Sequence, residues 1–497
     1  MILSKDSDLK QPSKFSLWFK SHKIYSLLAV FYLAILLLVA VKVTGDRVSY
    51  QGDAASAPTQ TISGELTVWI EDDFKNNTSK TNYSITSIVD GKSVYTPFNY
   101  IGNKKLTSGT QVSAVGKMST QNVLEVNEKS GGVINVTSSG AQASAGTQSV
   151  VTGTRKVAVV LLNWSDLPAM PYPTRADVLN MFNPTNTNGV SYFFNTSSFG
   201  KMNLALGTSV YPEGDVFGWY TTNISSGGSL NTLCQKFNAL YQGGELRSWL
   251  ATNHPEINNA NYQNIIYMMP TNFNGTGSCS SNGLYGGNIL LMDSYLFQPQ
   301  WGYSMVNTIV HELGHNFGAH HASTLSFGYP ITNIASGQSY DEYGDYWGAM
   351  GKNSYGLFDF SAYHKNLFGW LAPSNIQDVP ANTASGTYTY TLSPIETQTT
   401  GKQMLRVYRD DGTYYVIESR ALTGVDSNNS SSYGVQDGAM IRLYDNIHYY
   451  SYLSDTYLPR TTVPNYTNWP VGSILEDTQA NLKITVQSKV NNVLTIK

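Results

Sequence analysis

Cysteine and charged residues are both scarce in this chain of 497 residues, and each scarcity limits the classes of protein to which the chain can belong. The two cysteines are Cys234 and Cys279, and none precedes residue 234. Charged residues make up 13% of the sequence and the net charge is −3, with no basic run interleaved with aromatics. The composition therefore gives no argument for nucleic-acid binding. Serine, threonine, asparagine, glycine and tyrosine are abundant instead, a mixture that suits an extracellular surface kept soluble by hydroxyl and amide groups.

Long apolar runs are also rare, and the one that stands out covers residues 24–41 without a charge. Its length is sufficient to cross a bilayer and exceeds the usual core of a signal peptide. Residues 1–23 carry five lysines against two aspartates, which places the amino end in the cytoplasm. We therefore predict a cytoplasmic segment at 1–23 and a transmembrane signal anchor at 24–43, with the rest of the chain outside the cell. A secreted protein with a cleaved signal peptide is the alternative.

Four of the eight histidines lie within residues 311–321. If a helix continues through this segment, His311 and His315 lie at positions i and i+4 on one face and can reach the same metal ion. Glu312 is rotated by about 100° from His311, beside the ion, where a general base belongs. Gly318 can adopt a left-handed conformation and end the helix, so that His321 returns as the third ligand.

Three neutral imidazoles with one open coordination position describe a catalytic zinc site, and zinc lowers the pKa of a coordinated water to about 7. For the five residues from His311 to His315 alone, a chance match on a surface helix is the competing interpretation. The glycine and third histidine at the required offsets argue against it. His320 lacks the ligand spacing, so we expect it to lie beside the ligands or on the surface.

Two downstream segments extend the motif: Tyr343-Gly344-Asp345 with Met350-Gly351, and Ala362-Tyr363-His364-Lys365 followed by Gly369-Trp370-Leu371. With them, the chain resembles the gametolysin family (peptidase M11) of metzincin zinc peptidases, most densely over residues 155–371. The resemblance implies an α+β metzincin-like catalytic domain that hydrolyses peptide bonds. It also implies that Met350 is the Met-turn residue, which packs beneath the histidines without binding zinc.

The resemblance suggests two further features of the catalytic domain. Residues 289–292 would form the edge strand that pairs with extended substrate, the alternative being an interior strand without substrate contact. Tyr343, Tyr346 and Tyr355 are candidates for a donor to the oxyanion, and the sequence does not select among them.

The remainder of the chain alternates in a β-like pattern on both sides of the peptidase domain. We expect a small all-β domain, a barrel or a sandwich, at 46–136, a flexible linker at 137–154 and a β-sandwich-like domain at 372–497. The amino-terminal domain could be inhibitory, assist folding or act as a spacer. Its residues do not decide between these roles, but the missing cysteine excludes a pro-segment that caps zinc with a thiolate.

Three smaller expectations concern covalent links, other ions and binding. In an oxidising exterior Cys234 and Cys279 would pair and close a loop of about 45 residues, worth about 3–4 kcal/mol. Calcium is common in extracellular peptidases, but residues 426–429 lack a diagnostic ligand pattern for it. Some aromatic residues of the carboxyl-terminal domain could bind a wall polymer, although ordinary surface residues are the simpler account: Tyr444, His448, Tyr449, Tyr450 and Tyr452.

The sequence thus predicts an extracellular zinc endopeptidase that acts on protein substrates, by resemblance cell-wall or matrix proteins. A non-catalytic surface adhesin that retains the fold is the main alternative, and a hydrolase of non-peptide amides is a third. The oligomeric state stays open.

Overall fold

The structure is a computed structural model that describes most of residues 59–497. It leaves out residues 1–58, 75–76, 91, 103, 105, 107–109, 121, 139–149, 168, 207–213, 229–239, 241–244, 271–280, 285–287, 293–295, 298, 300–301, 327–338, 353–355, 382, 430–433, 445–450 and 456–467. Several predicted features therefore lie outside the described residues: the signal anchor at 24–43, Cys234, Cys279, Tyr355, His448, Tyr449 and Tyr450. Within the described part, no helix has the length and apolar character needed to cross a bilayer.

The described chain is mainly β-structure with few helices. Twelve strands form the first sheet: β1 (Thr59–Asp73), β2 (Thr78–Val89), β3 (Lys92–Ile101), β4 (Gln111–Met118), β5 (Leu124–Asn127), β6 (Val133–Ser138), β7 (Gly153–Asn163), β8 (Met202–Leu206), β9 (Val216–Thr221), β10 (Asn264–Met268), β11 (Ser281–Leu284) and β12 (Ile289–Leu291). A second sheet contains β13 (Ala322–Ser326), β14 (Ser339–Asp341), β15 (Ile376–Val379), β17 (Met404–Tyr408), β18 (Tyr414–Ser419), β19 (Gly438–Tyr444), β20 (Ser451–Asp455) and β21 (Asn468–Pro470). The third contains β16 (Tyr390–Leu392), β22 (Ile474–Asp477), β23 (Leu482–Val490) and β24 (Val493–Ile496).

The helices are short apart from one. They are α1 (Arg175–Met181), α2 (Val190–Ser197), α3 (Glu245–Asn253), α4 (Gly302–Asn316) and α5 (Ala362–Leu367), with 3₁₀ turns at Glu128–Ser130, Pro373–Asn375 and Gly424–Asn428. Thr174 caps α1: its hydroxyl accepts a hydrogen bond from the backbone N–H of Asp177.

The first six strands have an apolar core of their own, which includes Leu66, Ile85, Phe98 and Ile134. Strands follow one another as β1-β2-β3-β5-β4, and an additional pairing of β4 with β1 closes these five into a ring. The sixth strand, β6, pairs with the outer edge of β4. Segments 65–70, 111–115 and 123–126 have the alternation of strands, and all of them lie in this ring except Val123, since β5 begins at Leu124.

The sheet continues from β1 into the predicted peptidase domain in the order β1-β11-β12-β10-β7-β8. The prediction that residues 289–292 form an edge strand is wrong, because β12 lies between β10 and β11. The strand next to β12 is β11, which runs antiparallel to it, and β1 pairs with the far edge of β11. The short sequence of β11, Ser-Asn-Gly-Leu, has none of the β-branched or aromatic residues that signal a strand.

Strand β7 pairs with β8, β9 and β10 and so lies at the centre of the predicted peptidase domain. Its residues 157–162 are buried on both faces, as their continuous apolar run predicts. Val157, Val159 and Leu161 belong to an apolar cluster that also contains the α4 residues Ile309 and Leu313. The residues between them on β7 belong to a second cluster on the other face of the sheet. The alternation on β7 therefore positions α4 against one side of the sheet.

The carboxyl-terminal strands of the second and third sheets share one apolar cluster, in which Leu405 and Ile417 meet Ile484 and Leu494. The second sheet also takes up β13 and β14, which follow the histidine motif directly, through the parallel pair β13–β20. Tyr444, predicted to be exposed, is buried, because its ring packs against Tyr363 and Tyr414 at centroid distances of 4.5 and 4.6 Å.

A buried ion network joins this second sheet to the segment that carries Met350. Arg442 on β19 bonds Asp345 Oδ2 at 2.7 Å and Glu418 at 2.7 Å. The other oxygen of Glu418 accepts the backbone N–H of Ala362, at the start of α5, at 2.6 Å. Although burial alone would raise the pKa of Glu418, Arg442 and then Arg420 lower it to about 2, so the carboxylate stays charged.

Replacing Arg442 with Met should destabilise the fold by about 3–5 kcal/mol, since Asp345 would stay buried without its cation and Glu418 would keep only Arg420. The matched control is Arg406→Met, which breaks the partly exposed pair with Asp378 and should cost about 0.2–1 kcal/mol. Urea unfolding of both variants would measure the difference. Equal losses would show that the buried network does not hold the two regions together.

Candidate metal centre

Helix α4 (Gly302–Asn316) carries the first two histidines of the motif and presents them on one face. Gly318 has a φ of 96°, the left-handed conformation expected of a glycine that ends a helix. The backbone N–H of Ala319 bonds the carbonyl of Gly314, so the chain turns at once and runs into β13. This turn returns His321 to the face of α4 that carries His311 and His315.

Each of the three histidines has one ring nitrogen bonded to an oxygen acceptor. His311 Nδ1 lies 3.0 Å from the carbonyl oxygen of Ala349, and His315 Nδ1 lies 2.9 Å from that of Ala319. His321 Nδ1 lies 2.9 Å from Glu342 Oε1. An oxygen acceptor requires a proton on each Nδ1, so every Nε2 is the nitrogen available to a metal ion.

The three Nε2 atoms converge, and Asp72 from the end of β1 joins them. His315 Nε2 and His321 Nε2 are 3.1 Å apart. Asp72 Oδ2 lies 3.3 Å from His311 Nε2 and 3.2 Å from His315 Nε2, and Asp72 Oδ1 lies 3.0 Å from His321 Nε2. All four residues are buried, and their ligand atoms lie within 4.8 Å of one another.

These separations fit a tetrahedral zinc ion. Ligands at about 2.0–2.1 Å from zinc and at the tetrahedral angle lie about 3.3 Å apart. His311 Nε2 is buried and makes no hydrogen bond to any described residue, which is costly unless a cation accepts its lone pair. Three imidazoles and one carboxylate are a normal donor set for zinc.

The electrostatics of the cluster favour a bound cation. Burial lowers the pKa of His311 to about 4, so this ring is neutral. Burial also opposes charge on His321, but Asp72 and then Glu342 raise the pKa of His321 to about 9. For Asp72, burial is outweighed by His321 and His315, which hold its pKa well below the usual value. The site therefore carries a buried negative charge that a proton or a metal ion must balance.

Glu312, the predicted general base, is fully buried beside the cluster. Neither of its carboxylate oxygens has a hydrogen-bond partner within the part of the chain that the structure describes. Burial, and then the charge of Asp72, raises the pKa of Glu312 well above its usual value. This carboxyl group is therefore poised to hold a proton and is not occupied by a structural contact.

Met350, which the resemblance predicts to be the Met-turn residue, packs against Gly314 of α4. A Cβ atom added to Gly314 would come within 2.3 Å of Met350 Sδ. The residue before Met350, Ala349, supplies the carbonyl that accepts from His311. The Met-turn segment thus positions one ligand and fills the space under the helix.

Among the tyrosines considered for the oxyanion, Tyr343 lies at the cluster. Its ring packs against His321 with centroids 4.4 Å apart, and its hydroxyl donates to Asp72 Oδ1 at 3.0 Å. Tyr346 instead packs with a separate apolar cluster around Trp347. His320 is half-buried and is not one of the four clustered residues.

The sequence did not reveal Asp72 or Glu342 as site residues. Glu342 directly precedes the segment that begins at Tyr343, and its carboxylate could have been proposed as a partner for a ligand. Asp72 lies 243 residues before His315, and nothing in the local pattern of β1 distinguishes it from Asp73.

Comparison with known proteins agrees with these features. The family model of the gametolysin peptidase M11 matches residues 156–423, more than half of the chain. The chain belongs to the gametolysin family of peptidases. Two solved structures with some similarity are those of OgpA from Akkermansia muciniphila. The wild-type crystal structure shows 14% identity over 55% of this chain and 74% of that one, with a TM-score of 0.28. The catalytically inactive form with an O-glycopeptide substrate shows 11% identity over the same shares, with a TM-score of 0.29. No curated protein matches.

In this gametolysin-family chain, Gly314→Ala should destabilise the fold by about 1–3 kcal/mol, because the new methyl group collides with the buried sulfur of Met350. Gly348→Ala is the control. Its Cβ would lie 3.6 Å from the nearest atom, Asp345 Oδ2, so the substitution should change stability by less than about 0.5 kcal/mol. Thermal unfolding would compare the two. If Gly314→Ala were as stable as Gly348→Ala, the side chain of Met350 would be able to move away from the new methyl group at little energetic cost.

Glu342→Gln should weaken metal binding by about 10–100-fold, because the carboxylate that orients His321 and strengthens it as a ligand is lost. Glu125→Gln, an exposed glutamate bonded to Asn99, is the matched control and should leave the affinity unchanged. Competition with a zinc-binding dye measures both. Unchanged affinity in Glu342→Gln would remove Glu342 from the metal centre.

Proposed function

We propose that this peptidase is a zinc-dependent endopeptidase with a metzincin-like catalytic domain. One observation carries the proposal. The Nε2 atoms of three histidines converge, the Nδ1 atom of each ring is bonded to an oxygen acceptor, and the buried Glu312 lies beside them without a hydrogen-bond partner among the described residues. His311, His315 and His321 would hold the ion. When bound, zinc supplies the Lewis acidity that polarises a peptide carbonyl and activates water.

Glu312 moves the protons of the reaction. Its carboxylate takes a proton from the attacking water and returns it to the departing amine. A carboxyl group whose pKa is raised by burial holds this proton at neutral pH more readily than an exposed one. Apart from its interaction with Asp72, neither oxygen is held by a described residue, so we expect the group to face a substrate.

Tyr343 is the donor that we assign to the oxyanion of the tetrahedral intermediate. Burial and then the charge of Asp72 raise the pKa of Tyr343 far above its usual value, so its hydroxyl stays protonated. The hydroxyl already donates to a carboxylate oxygen of Asp72 at the centre of the cluster. An oxyanion in the same place would receive the same hydrogen bond.

The substrates that we propose are extracellular proteins, with cell-wall or matrix proteins as the first candidates from the family resemblance. An extracellular location follows from the predicted signal anchor at 24–43, or from secretion if that segment is cleaved. The disulfide between Cys234 and Cys279 belongs to the same proposal.

One observation favours the alternative of a non-catalytic adhesin. Asp72 supplies a fourth protein ligand, and four protein ligands are typical of structural zinc sites. Against this alternative stands Glu312, because a structural site has no use for a buried carboxyl group without a partner.

Cleavage of casein and of a fluorogenic peptide library by the zinc-loaded full chain tests the proposal. The protein would carry a thrombin site inserted within residues 139–149 and would be assayed intact and after cutting. We expect cleavage that 1,10-phenanthroline abolishes and added zinc restores.

The matched control is Glu312→Gln with the same inserted site. It should lose about 10²–10⁴-fold or more in turnover and still bind one zinc ion. It also controls for thrombin and for contaminating proteases. If no form of the wild type cleaves any substrate while zinc is bound, the result contradicts the endopeptidase proposal and favours the adhesin alternative. Loss of zinc in the variant would give Glu312 a structural role instead.

A further inference from the structure

We propose that residues 59–138 are an intramolecular inhibitor of the peptidase, in which Asp72 fills the fourth ligand position and β1 lies along the strand that receives substrate. This inference rests on the proposed function and names the regulation of the same site. It assigns a role to the amino-terminal strands, for which the sequence left three alternatives.

The first argument is the position of Asp72 in the cluster. A catalytic zinc site keeps one position open for water or substrate, whereas here both carboxylate oxygens of Asp72 lie among the three Nε2 atoms. Its second contact is the hydroxyl of Tyr343. One carboxylate therefore occupies both the open ligand position and the donor assigned to the oxyanion.

The second argument is that the hairpin around Asp72 is fastened to the elements that support the metal ligands. Ser79 donates to Glu342 Oε1 at 2.5 Å, the same oxygen that orients His321. Asn77 donates to Asp341 Oδ1 at 2.7 Å. These bonds hold the chain on the far side of the hairpin and keep Asp72 in the cluster.

Phe74 adds a further contact across the front of the site. Its ring packs edge-on against His311, with centroids 5.2 Å apart, and against Tyr343 at 5.1 Å. A peptide approaching the histidines would have to displace this ring as well as the carboxylate of Asp72.

The third argument is the pairing of β1 with β11. Strand β11 packs beside α4, and among the strands that the structure describes it pairs with β12 and with β1. The register places Asp72 opposite Ser281 and Trp69 opposite Leu284. An extended substrate that added to the sheet beside the zinc helix would need the backbone groups of β11 that β1 now uses.

The fourth argument is that these strands pack mainly on one another, although Trp69 of β1 packs into the apolar cluster around Val160. They have their own apolar core around Leu66, Ile85 and Phe98. The family match begins at residue 156, beyond all of them. A peptidase of this family is thus defined without residues 59–138, and nothing that the mechanism uses lies in them.

The test uses the full chain loaded with cobalt(II), whose absorption reports its ligands. The variants are Asp72→Ala and the near-isosteric Asp72→Asn, with Asp73→Ala as control at the neighbouring position of the same strand. Each is titrated with acetohydroxamate, a small metal ligand that needs an open position. We expect wild type and Asp73→Ala to bind it at least tenfold more weakly than the two Asp72 variants.

The same proteins, loaded with zinc, are then assayed on a short fluorogenic peptide. The Asp72 variants should hydrolyse it at least tenfold faster than intact wild type. Cutting wild type at the thrombin site within 139–149 and separating the fragments should raise its rate as well. If Asp72→Ala does not fold, Asp72→Asn decides.

The outcomes separate the inference from the proposed function. Equal acetohydroxamate binding by wild type and both Asp72 variants overturns the inference, even if all of them cleave peptide. Intact wild type that cleaves as fast as the Asp72 variants overturns it too. If acetohydroxamate changes the cobalt spectrum only in the Asp72 variants and no form cleaves peptide, Asp72 is still the ligand that fills the fourth position, and the proposed peptidase function is wrong.

Discussion

The contact between the Asp72 carboxylate and three buried imidazoles is the interaction on which the rest of the site depends. It joins elements that are distant in sequence: the end of β1, helix α4 and the turn after it. A carboxylate without solvent needs a compensating cation, and three Nε2 lone pairs within 3.3 Å of it need the same. A metal ion satisfies both requirements at once. Without a metal ion, a protonated His321, whose pKa is raised to about 9, compensates the charge of Asp72.

The carboxyl-terminal sheet contributes to this site without touching the metal ligands. Arg442 bonds Asp345, which lies five residues before Met350, and the carbonyl of Ala349 in turn accepts from His311. The ligand geometry is therefore supported from below by a buried ion network and from the side by β13, which enters the same sheet. An enzyme that must place donors within a few tenths of an ångström gains from rigid support of this kind.

The parts of the site that could be predicted from the sequence are those that short-range geometry specifies. Two histidines one helical turn apart, a glycine that ends the helix and a third histidine three residues later are all read within eleven residues, as is Glu312. Strands with continuous or alternating apolar residues, such as β7, were likewise visible. Asp72 and the position of β11 in the sheet were not, because each depends on a pairing between β1 and β11 whose partners are some two hundred residues apart. Strand β11 has no apolar alternation, so its position in the sheet comes from its neighbours.

Asp72 is itself a residue of β1, so its carboxylate and the backbone of the strand cannot leave the site independently. Displacing the carboxylate alone would leave the backbone of β1 on β11, and displacing the strand alone would leave a carboxylate bound to a cation. Because Asp72 is itself the residue paired with Ser281, the two contacts are lost together when β1 leaves. In the inhibition that we propose, opening of the metal position and exposure of β11 are then one event. A small molecule that competes only for the metal would not achieve it, since the strand pairing and the hairpin bonds to Glu342 and Asp341 would return Asp72 to the cluster.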